Sequence, residues 1–429
     1  MKILLLLLLF STQLVSYEAE DPVLYNGRIR PFETYSKILL YQFYHRQNIE
    51  SQDVEKYDLD NFIARLHQEG VKPFQQAPLF YLPGAKGRLN YLEAKTLPEL
   101  KSQVALFENP PGKLGSAIPK GVKIPPKWRL QLENYYYRLP LLQIAILSFL
   151  ISLPFLLLPY RASWIGAAFF GLGLTISTAV LAMRWLILMR PPVSNMEETI
   201  LYVPWTAAVC SLGIALYLKE KWPLFASALL SVILYTILEQ QGTSQNLENV
   251  QAVLNSPFWL TVHVLMIVGS YGILILSGVL GHLYFLCPQN IRKRLTEPML
   301  LSLYIGLALL IPGTLLGGVW AAQSWGRFWD WDPKESWAFI TACVYLLVVH
   351  AYRFHYIGAI GLAIGSILGL IAVSFTWYGV NYILGTGLHS YGFGEGGQTY
   401  YYLYLLVELL FVSGFLLLFK RDTGINAGT

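Results

Sequence analysis

Residues 259–286 read WLTVHVLMIVGSYGILILSGVLGHLYFL and contain no Asp, Glu, Lys or Arg. A helix of about 20 apolar residues is long enough to cross a hydrocarbon core of roughly 30 Å, so this stretch predicts a membrane span. The pattern recurs from Leu139 onward and predicts an all-α polytopic membrane protein. We place nine spans at 139–159, 163–183, 200–218, 222–240, 259–286, 299–319, 336–352, 358–379 and 401–419.

The composition excludes several other classes of protein. The 429 residues are 55% hydrophobic and only 13% charged, which does not fit a wholly soluble, disordered or fibrous chain. The net charge is +5 and no dense basic block occurs, so no nucleic-acid partner is expected. The three cysteines are scattered without a CxxC pair, which argues against a disulfide framework or a zinc ribbon.

The charges divide the chain into three predicted segments. Residues 1–17 begin with Met1-Lys2 and an apolar run, the form of a signal peptide or an uncleaved anchor. Residues 18–138 carry 31 charges and predict a small extracytoplasmic domain without a catalytic constellation. Residues 139–429 carry only 25 charges and predict the multi-span domain.

The Lys and Arg residues of the short loops predict the orientation. If residue 138 lies outside, the inner loops hold nine Lys or Arg and the outer loops hold four. Positive charge is enriched on the cytoplasmic side, so this arrangement also places the C-terminus in the cytoplasm. Three loops then share the outer face of the membrane: 240–258, 320–335 and 380–400.

The middle outer loop has an unusual composition. With the start of the next span, residues 320–337 read WAAQSWGRFWDWDPKESW and contain five of the twelve tryptophans. An interfacial aromatic belt is one interpretation. The other is a flat platform formed by Trp325, Trp329 and Trp331, which would suit a porphyrin. Its propionates could pair with Arg327 and Lys334.

Two histidines flank this loop on the same face of the membrane. His263 lies at the outer end of the fifth span, and His389 lies in the third outer loop. Two neutral imidazoles on opposite sides of a haem iron are a common axial pair. We therefore predict that His263 and His389 bind the iron.

The loop resembles a known motif. W325-G-x-x-W-x-W-D-P-K-E-x-W337 is similar to the tryptophan-rich "WWD" motif of the haem-handling cytochrome c assembly proteins. Residues 317–321, 190–198 and 388–391 also resemble that family, and the similarity covers roughly residues 139–420. Size and layout point to the CcsA/ResC type. Residues 22–37 resemble the region just ahead of the CcsA part in fused CcsB–CcsA chains. Arg327 and Phe328 occupy the variable pair of the motif, and Asp330 stands where the family frequently has a small residue.

The resemblance implies a set of site residues. His263 and His389 match the outer haem ligands, and His350 matches the transmembrane histidine of the family. His350 lies thirteen residues, about 20 Å of helix, beyond Trp337 and would serve a separate inner site. His282 and His355 are not expected to bind haem, and Glu408 could either orient a ligand histidine or bond a neighbouring helix. The residues expected to contact haem in the loop are Trp320, Trp325, Arg327, Trp329, Trp331, Asp332, Lys334 and Trp337.

The function implied by the resemblance is delivery of haem b across the membrane and its covalent attachment to apocytochrome c. The thiols would come from a CxxCH motif of the substrate, and a separate CcsB/ResB-like membrane protein would complete a cytochrome c synthase. Extracytoplasmic thiol-reducing proteins are further expected partners, and the expected location is a bacterial inner (plasma) membrane. No catalytic residue can be assigned. Two alternatives stay open: a haem exporter or chaperone, and a multi-span transport or structural protein without haem.

Overall fold

A computed structural model provides the fold of the chain. The described residues are 18–44, 59–71, 89–114, 117–159, 162–240, 256–384 and 398–422, with the separate positions 74, 77, 79–82 and 247. The predicted signal segment 1–17 lies outside them. The described chain divides into two compact units, Met1–Leu139 and Pro140–Thr429.

The first unit combines short helices with a small sheet. Its strands are β1 (Pro22–Tyr25), β2 (Arg28–Pro31) and β3 (Lys113–Leu114), in the order β2-β1-β3 with antiparallel pairing. The helices are α1 (Phe32–Tyr44), α2 (Leu59–Glu69), α3 (Tyr91–Ala94), α4 (Lys101–Glu108) and α5 (Lys127–Arg138). Sequence analysis did not predict the strands.

The hairpin between β1 and β2 is formed by a two-residue turn. Asn26 and Gly27 have φ values of 49° and 72°, and Tyr25 pairs with Arg28. Positive φ at both central positions is what a tight hairpin turn requires, and Asn-Gly is the sequence that adopts it most readily. The signal for these strands was therefore present in the sequence.

Two carboxylates of the first unit are neutralised by arginines. Glu133 accepts two hydrogen bonds from Arg28, at 2.9 and 2.5 Å, and Glu33 is bonded to Arg138 and Lys37. Although burial opposes ionisation of Glu33, the bonds to Arg138 and Lys37 lower the pKa of this carboxyl. These pairs connect α5 to β2 and α1.

We expect the first unit to lose stability as the pH falls. Tyr35 is fully buried and its hydroxyl lies 2.7 Å from Nε2 of His67, whose pKa is lowered to about 4 by burial. The unfolded chain takes up this proton near pH 6.5, so stability is retained above that value and falls between about pH 6.5 and pH 4. The loss is at most about 3 kcal/mol.

Limited proteolysis of the full chain across this pH range measures the effect. His67→Phe removes the titrating group and is expected to flatten the profile of cleavage between residues 18 and 138. An equally steep profile in that variant would show that His67 is not responsible.

The second unit consists of long apolar helices. They are α6 (Leu141–Leu157), α7 (Ser163–Leu188), α8 (Met196–Leu218), α9 (Trp222–Gln240), α10 (Pro257–Leu286), α11 (Gln289–Trp325), α12 (Pro333–Arg353), α13 (Ala359–Leu384) and α14 (Gln398–Asp422). In the described chain, eight of these are long and apolar enough to cross a membrane, or nine if α6 is counted with the helix before it. The predicted all-α polytopic membrane fold is confirmed.

The largest departure from the predicted spans is α11. It runs for 37 residues, far beyond the predicted span 299–319, and ends only at Trp325. Gly326 then adopts a left-handed conformation with φ of 74°, which terminates the helix. As a result the segment between α11 and α12 is only residues 326–332, shorter than the predicted loop 320–335.

Small and hydroxylated residues bring the helices of the second unit together. A Cβ on Gly272 of α10 would lie 2.2 Å from the carbonyl oxygen of Val203 on α8, so the two backbones are in direct contact. Ser277 donates to Ser366 at 3.0 Å, and the hydroxyls of Thr341 and Thr376 are 2.7 Å apart. Close approach at small residues and interhelical hydrogen bonds are typical of membrane helix packing.

Candidate functional site

A cavity opens among five helices of the second unit. Its empty space, including the part that opens to the outside, is about 1040 Å³. Most of the wall is apolar. The polar and aromatic residues that line it are Ser194, Asn195, Thr199, His263, Tyr271, Thr314, Trp320, Trp329, Lys334, Glu335, Trp377 and Asn381.

His263 enters this cavity from a distorted turn of α10. Residues Leu260–Val264 form a π-helix, a geometry that is rare and frequent at functional sites. The Nδ1 atom of His263 lies 2.7 Å from the carbonyl oxygen of Gly313, which can only accept a hydrogen bond. Nδ1 therefore carries the proton and Nε2 carries the lone pair. This is the arrangement in which imidazoles bind metals.

The ring of His263 is held against α11 at a glycine. A Cβ on Gly317 would lie 2.6 Å from Cε1 of His263, so this close approach needs glycine. Trp320, one turn further along α11, contacts the imidazole with ring centroids 5.9 Å apart. Trp320 also stacks on Trp259, with ring centroids 6.4 Å apart and an interplanar angle of 13°. The predicted contact residue Trp320 thus lies in a helix and lines the cavity.

Trp329 and Trp331 do not lie together in the predicted flat platform. The rings of Trp329 and Trp331 are 5.8 Å apart at 81°, so they share no plane. Trp329 lines the cavity, whereas Trp331 is 68% exposed and has a φ of 58°. A bulky residue in this left-handed conformation costs about 1–3 kcal/mol, and such strain clusters at functional sites. Trp325 is the last residue of α11 and is half-buried.

Trp329 also presents an unsatisfied donor. Its indole Nε1 is buried and has no hydrogen-bond partner among the described residues. Buried indole N–H groups usually find an acceptor. Because the side chain lines the cavity, an acceptor atom on a bound ligand can provide it.

The two predicted propionate partners differ in position. Lys334 is half-buried in the cavity wall, where its ammonium donates to Oδ1 of Asn381 at 3.0 Å and to the carbonyl oxygen of Trp377 at 3.3 Å. Arg327 is 43% exposed and forms an ion pair of 2.6 Å with Asp330. It is not part of the cavity wall. Lys334 is therefore the cation of this segment that a ligand in the cavity would meet.

The Asp-Pro-Lys-Glu part of the motif is also a helix start. The Asp332 side chain accepts a hydrogen bond from the Glu335 amide at 2.9 Å, and Pro333 occupies the first turn of α12. Glu335 in turn accepts the Asp330 amide at 2.8 Å. Asp332, which we predicted to contact the ligand, caps the helix that carries Lys334 and does not line the cavity.

Trp337 has a packing role in the structure. Its ring centroid lies 4.1 Å from that of Phe375, and its carbonyl oxygen accepts a hydrogen bond from Thr376 at 3.0 Å. Both partners belong to the C-terminal part of α13. Trp337 joins α12 to α13 and is absent from the cavity wall.

His350 lies far from the cavity, near the other end of α12. The residue is exposed, and its Nδ1 atom is 2.7 Å from the carbonyl oxygen of Leu346, so Nε2 is the nitrogen that carries the lone pair in the neutral ring. Phe354 stacks on the ring at 6.3 Å. The imidazole of His350 therefore has the tautomer that binds metals, but it lies away from the cavity. Among the described residues, no three His, Cys, Asp or Glu side chains gather around a common metal position.

His389 lies outside the described residues. The predicted axial pair of His263 and His389 therefore stays a prediction. The described chain reaches Leu384, at the end of a second π-helix, Phe375–Leu384. Trp377 and Asn381 of that π-helix both line the cavity.

Sequence analysis missed the buried ionic cluster that supports one wall of the cavity. Glu198 and Arg184 are fully buried and Arg190 nearly so, with Arg190 bonded to both oxygens of Glu198 at 2.8 and 3.1 Å. The Ser194 amide and hydroxyl also donate to Glu198, at 2.9 and 2.8 Å. The cluster holds residues 190–198 beside the cavity. Charged residues at the apolar ends of two spans were the signal that could have revealed it.

A second missed contact joins two spans. His282 of α10 lies 2.9 Å from Glu408 of α14, through Nε2 and Oε2. Of the two roles considered for Glu408, a bond to a neighbouring helix is the observed one. Its partner His282 was not expected to be a haem ligand and is not in the cavity wall.

Comparison with known proteins defines the class. Residues 193–389 match the family described as Cytochrome C assembly protein, a range that begins at the cavity wall. The chain is 33% identical to Protein NrfI of Wolinella succinogenes, over 63% of this chain and 32% of NrfI. It is 29% identical to the cytochrome c biogenesis protein CcsA of Guillardia theta, over 58% of this chain and 98% of that protein. For CcsA of Trachelium caeruleum the identity is 27%, over 51% of this chain and 83% of that protein.

The helices define a polytopic membrane protein, and the match of residues 193–389 relates it to the cytochrome c assembly proteins. The similarity to CcsA proteins supports a CcsA-type family of cytochrome c biogenesis proteins. The matched segment spans about a third of the length of NrfI and most of the length of the CcsA proteins.

Proposed function

We propose that the cavity beside His263 binds haem b and presents it for covalent attachment to apocytochrome c. The observation that carries this proposal is the tautomer of His263. Its Nδ1–H is held by the Gly313 carbonyl, so Nε2 is the ring nitrogen of the neutral imidazole that would bind iron beside the cavity. The largely apolar wall suits the porphyrin ring.

Two donors of the wall match the charged rim of haem. Lys334 can donate to a propionate while it keeps its bond to Asn381, because an ammonium has three donors. The indole N–H of Trp329 can provide a second bond to a propionate oxygen. The proposed propionate contacts are therefore Lys334 and Trp329, and Trp329 takes the place of Arg327.

The proposed reaction forms thioether bonds between the haem vinyl groups and the two thiols of a substrate CxxCH motif. His263 and His389 hold the iron and keep it reduced, and the histidine of the substrate then displaces one of them. His350 serves an inner site that receives haem, and a CcsB/ResB-like partner supplies its second ligand. Most of the catalysis is positioning of the reactants.

The proposed orientation places the cavity outside the cytoplasm. The Lys and Arg balance of the loops supports it, with nine residues inside and four outside. Residues 18–138 are then extracytoplasmic, and the C-terminus lies on the cytoplasmic side of a bacterial inner membrane.

Reconstitution tests the proposed function. The chain is combined with its partner, haem and an apocytochrome c, and thioether formation is followed by mass spectrometry. Haem-dependent thioether formation supports the synthase. Bound haem without thioether would indicate an exporter or chaperone, and absence of any haem spectrum would contradict the haem site itself.

A matched pair of variants tests the rim of the cavity. We expect Lys334→Gln to weaken haem binding roughly 10- to 100-fold, since a hydrogen bond to a charged group contributes about 1.5–3 kcal/mol. Arg327→Gln is the control, because this side chain is exposed and paired with Asp330. Haem titrations of the purified variants measure both. Equal losses of haem affinity in the two variants would show that Lys334 does not contact the propionates specifically.

A further inference from the structure

A second apolar hollow of the second unit lies between α8, α10 and α11. It contains about 960 Å³ of empty space, including the part that opens to the outside. It shares no lining residue with the cavity beside His263. We call it the α8–α11 groove. Six of the residues that line it are Trp205, Thr206, Cys210, Tyr217, Leu301 and Ile305.

The groove opens on the surface of the apolar helices. Val209 and Tyr217 of its wall are exposed, and α8 and α11 are both long and apolar enough to cross a membrane. The wall also contains Gly213, where an added Cβ would meet no described atom within 4 Å. The groove is therefore open space that membrane lipid can reach.

The length of the groove matches one leaflet of a bilayer. Trp205 and Tyr217 lie 12 residues apart on α8, which is about 18 Å of helix. The hydrocarbon core of a bilayer is roughly 30 Å thick, so one leaflet contributes about half of that. An acyl chain of a single leaflet can therefore lie along the whole groove.

The polar groups along this length already have partners. The Trp205 indole donates to the Thr178 hydroxyl at 2.8 Å, and the Thr206 hydroxyl donates to the carbonyl oxygen of Val203 at 2.8 Å. The Cys210 thiol is only a weak donor. An occupant of this part of the groove therefore needs to be apolar.

The end of the groove next to Tyr217 is positively charged. α8 ends at Leu218, and Glu220 in the following turn accepts two bonds from Arg294 of α11, at 2.8 and 2.6 Å. This ion pair brings the start of α11 against the turn. Residues 219–221 and 292–297 together carry five Lys or Arg and two Glu, so a net positive charge remains.

Arg294 lies on the face of α11 that forms the groove. Leu301 and Ile305 follow it by 7 and 11 residues, which are two and three turns of an α-helix. Basic residues are common at the cytoplasmic ends of spans, so the charges alone do not indicate a site. Their alignment with the groove does, because it places a guanidinium at the end of an apolar channel.

Lys221 is a second cation at this end. Its ammonium lies 5.8 Å from the ring centroid of Trp222 and donates to the carbonyl oxygen of Leu158. Partial burial and the positive charge of Arg294 lower the pKa of Lys221. The two cations are thus close enough to repel each other, and an anionic group beside them would offset this repulsion.

We propose that the α8–α11 groove binds an anionic phospholipid of the bilayer. One acyl chain lies along the groove, and the phosphate contacts Lys219, Lys221 and Arg294. Nε and Nη2 of Arg294 face Glu220, and the guanidinium has further donors on Nη1 for a phosphate oxygen. In the proposed orientation the lipid belongs to the cytoplasmic leaflet, whose anionic lipids attract basic segments.

Native mass spectrometry of the full chain, delipidated in detergent and without haem, tests the site. The chain is titrated with dioleoylphosphatidylglycerol or with dioleoylphosphatidylcholine, which has the same acyl chains but no net charge. We expect one phosphatidylglycerol to bind at least roughly fivefold more tightly than phosphatidylcholine. This factor corresponds to about 1 kcal/mol, the contribution of one basic residue near anionic lipid.

Gly213→Leu tests the apolar part of the site. The leucine would occupy space that is empty beside Gly213, and replacing a glycine within a helix favours the helix, so the variant should fold. We expect the tightly bound phosphatidylglycerol to be lost. Gly171→Leu on α7 is the matched control, because a Cβ there also meets no described atom within 4 Å and Gly171 does not line the groove.

Lys221→Gln tests the charged end against Lys293→Gln, which removes the same charge. Lys293 is exposed and lies about 100° around α11 from Arg294. We expect Lys221→Gln to weaken binding of phosphatidylglycerol roughly fivefold and Lys293→Gln to leave it unchanged.

Three results would overturn the proposal. Equal affinities of the parental chain for the two lipids would exclude recognition of the anionic headgroup. Parental binding of phosphatidylglycerol in Gly213→Leu would place the lipid elsewhere. A dimer that Gly213→Leu abolishes would assign the groove to a second copy of this chain. Because no haem is present, each result is independent of the proposed haem site.

Discussion

Replacing His263 with Ala is expected to leave haem in the purified complex but to change its spectrum and to reduce cytochrome c maturation sharply. The variant opens a coordination position without removing Trp320, Trp329 or Lys334 from the cavity wall. Loss of a residue that hydrogen-bonds a metal ligand typically lowers metal affinity or activity roughly 10- to 100-fold. Loss of the ligand itself should therefore lower the maturation activity by more than this factor. Absorption spectra and maturation assays measure both effects.

Added imidazole should partly restore the spectrum and the maturation. A free ring can occupy the space left beside Gly317 and donate to the Gly313 carbonyl, as His263 does. His389→Ala should respond in the same way if it is the second axial ligand. His350→Ala should instead lower the amount of haem that arrives, again with rescue by imidazole.

The control for these variants is His355→Asn. His355 is exposed and has a φ of 61°, a conformation that Asn adopts readily, so the change should leave maturation nearly unaffected. His282 is unsuitable as a control because it is bonded to Glu408. Parental spectra and full maturation in both outer-histidine variants would contradict the ligand assignment.

The sequence predicted the membrane architecture because length and apolarity are properties of continuous segments. Each predicted span overlaps a helix of the structure, and the largest error was the extent of α11. Its end depends on the single left-handed residue Gly326. A polar and aromatic loop composition does not reveal that the helix continues to Trp325.

The cavity was only partly predictable, because its wall combines residues that are distant in the sequence. His263, Trp320, Trp329 and Lys334 could be found from motif and position. The Trp377 indole, in contrast, donates to the Thr199 hydroxyl at 3.0 Å across 178 residues of chain. Ring orientation was also unpredictable, since the turn at Trp331 directs its side chain outward.

We expect Glu198→Ala to destabilise the second unit by about 3–5 kcal/mol, the cost of breaking a buried ion pair. The substitution would leave the guanidinium groups of Arg184 and Arg190 buried without their shared carboxylate. It would also remove the acceptor of the Ser194 amide and hydroxyl. Thermal unfolding of the purified protein in detergent measures the effect.

Glu197→Ala is the matched control at the adjacent position. Glu197 is only half-buried in the first turn of α8, where a carboxylate contributes about 0.3–1 kcal/mol through the helix dipole. Because Ser194 lines the cavity, Glu198→Ala should also weaken haem binding in any protein that still folds. A variant that unfolds at the parental temperature and binds haem normally would show that the cluster does not support the cavity wall.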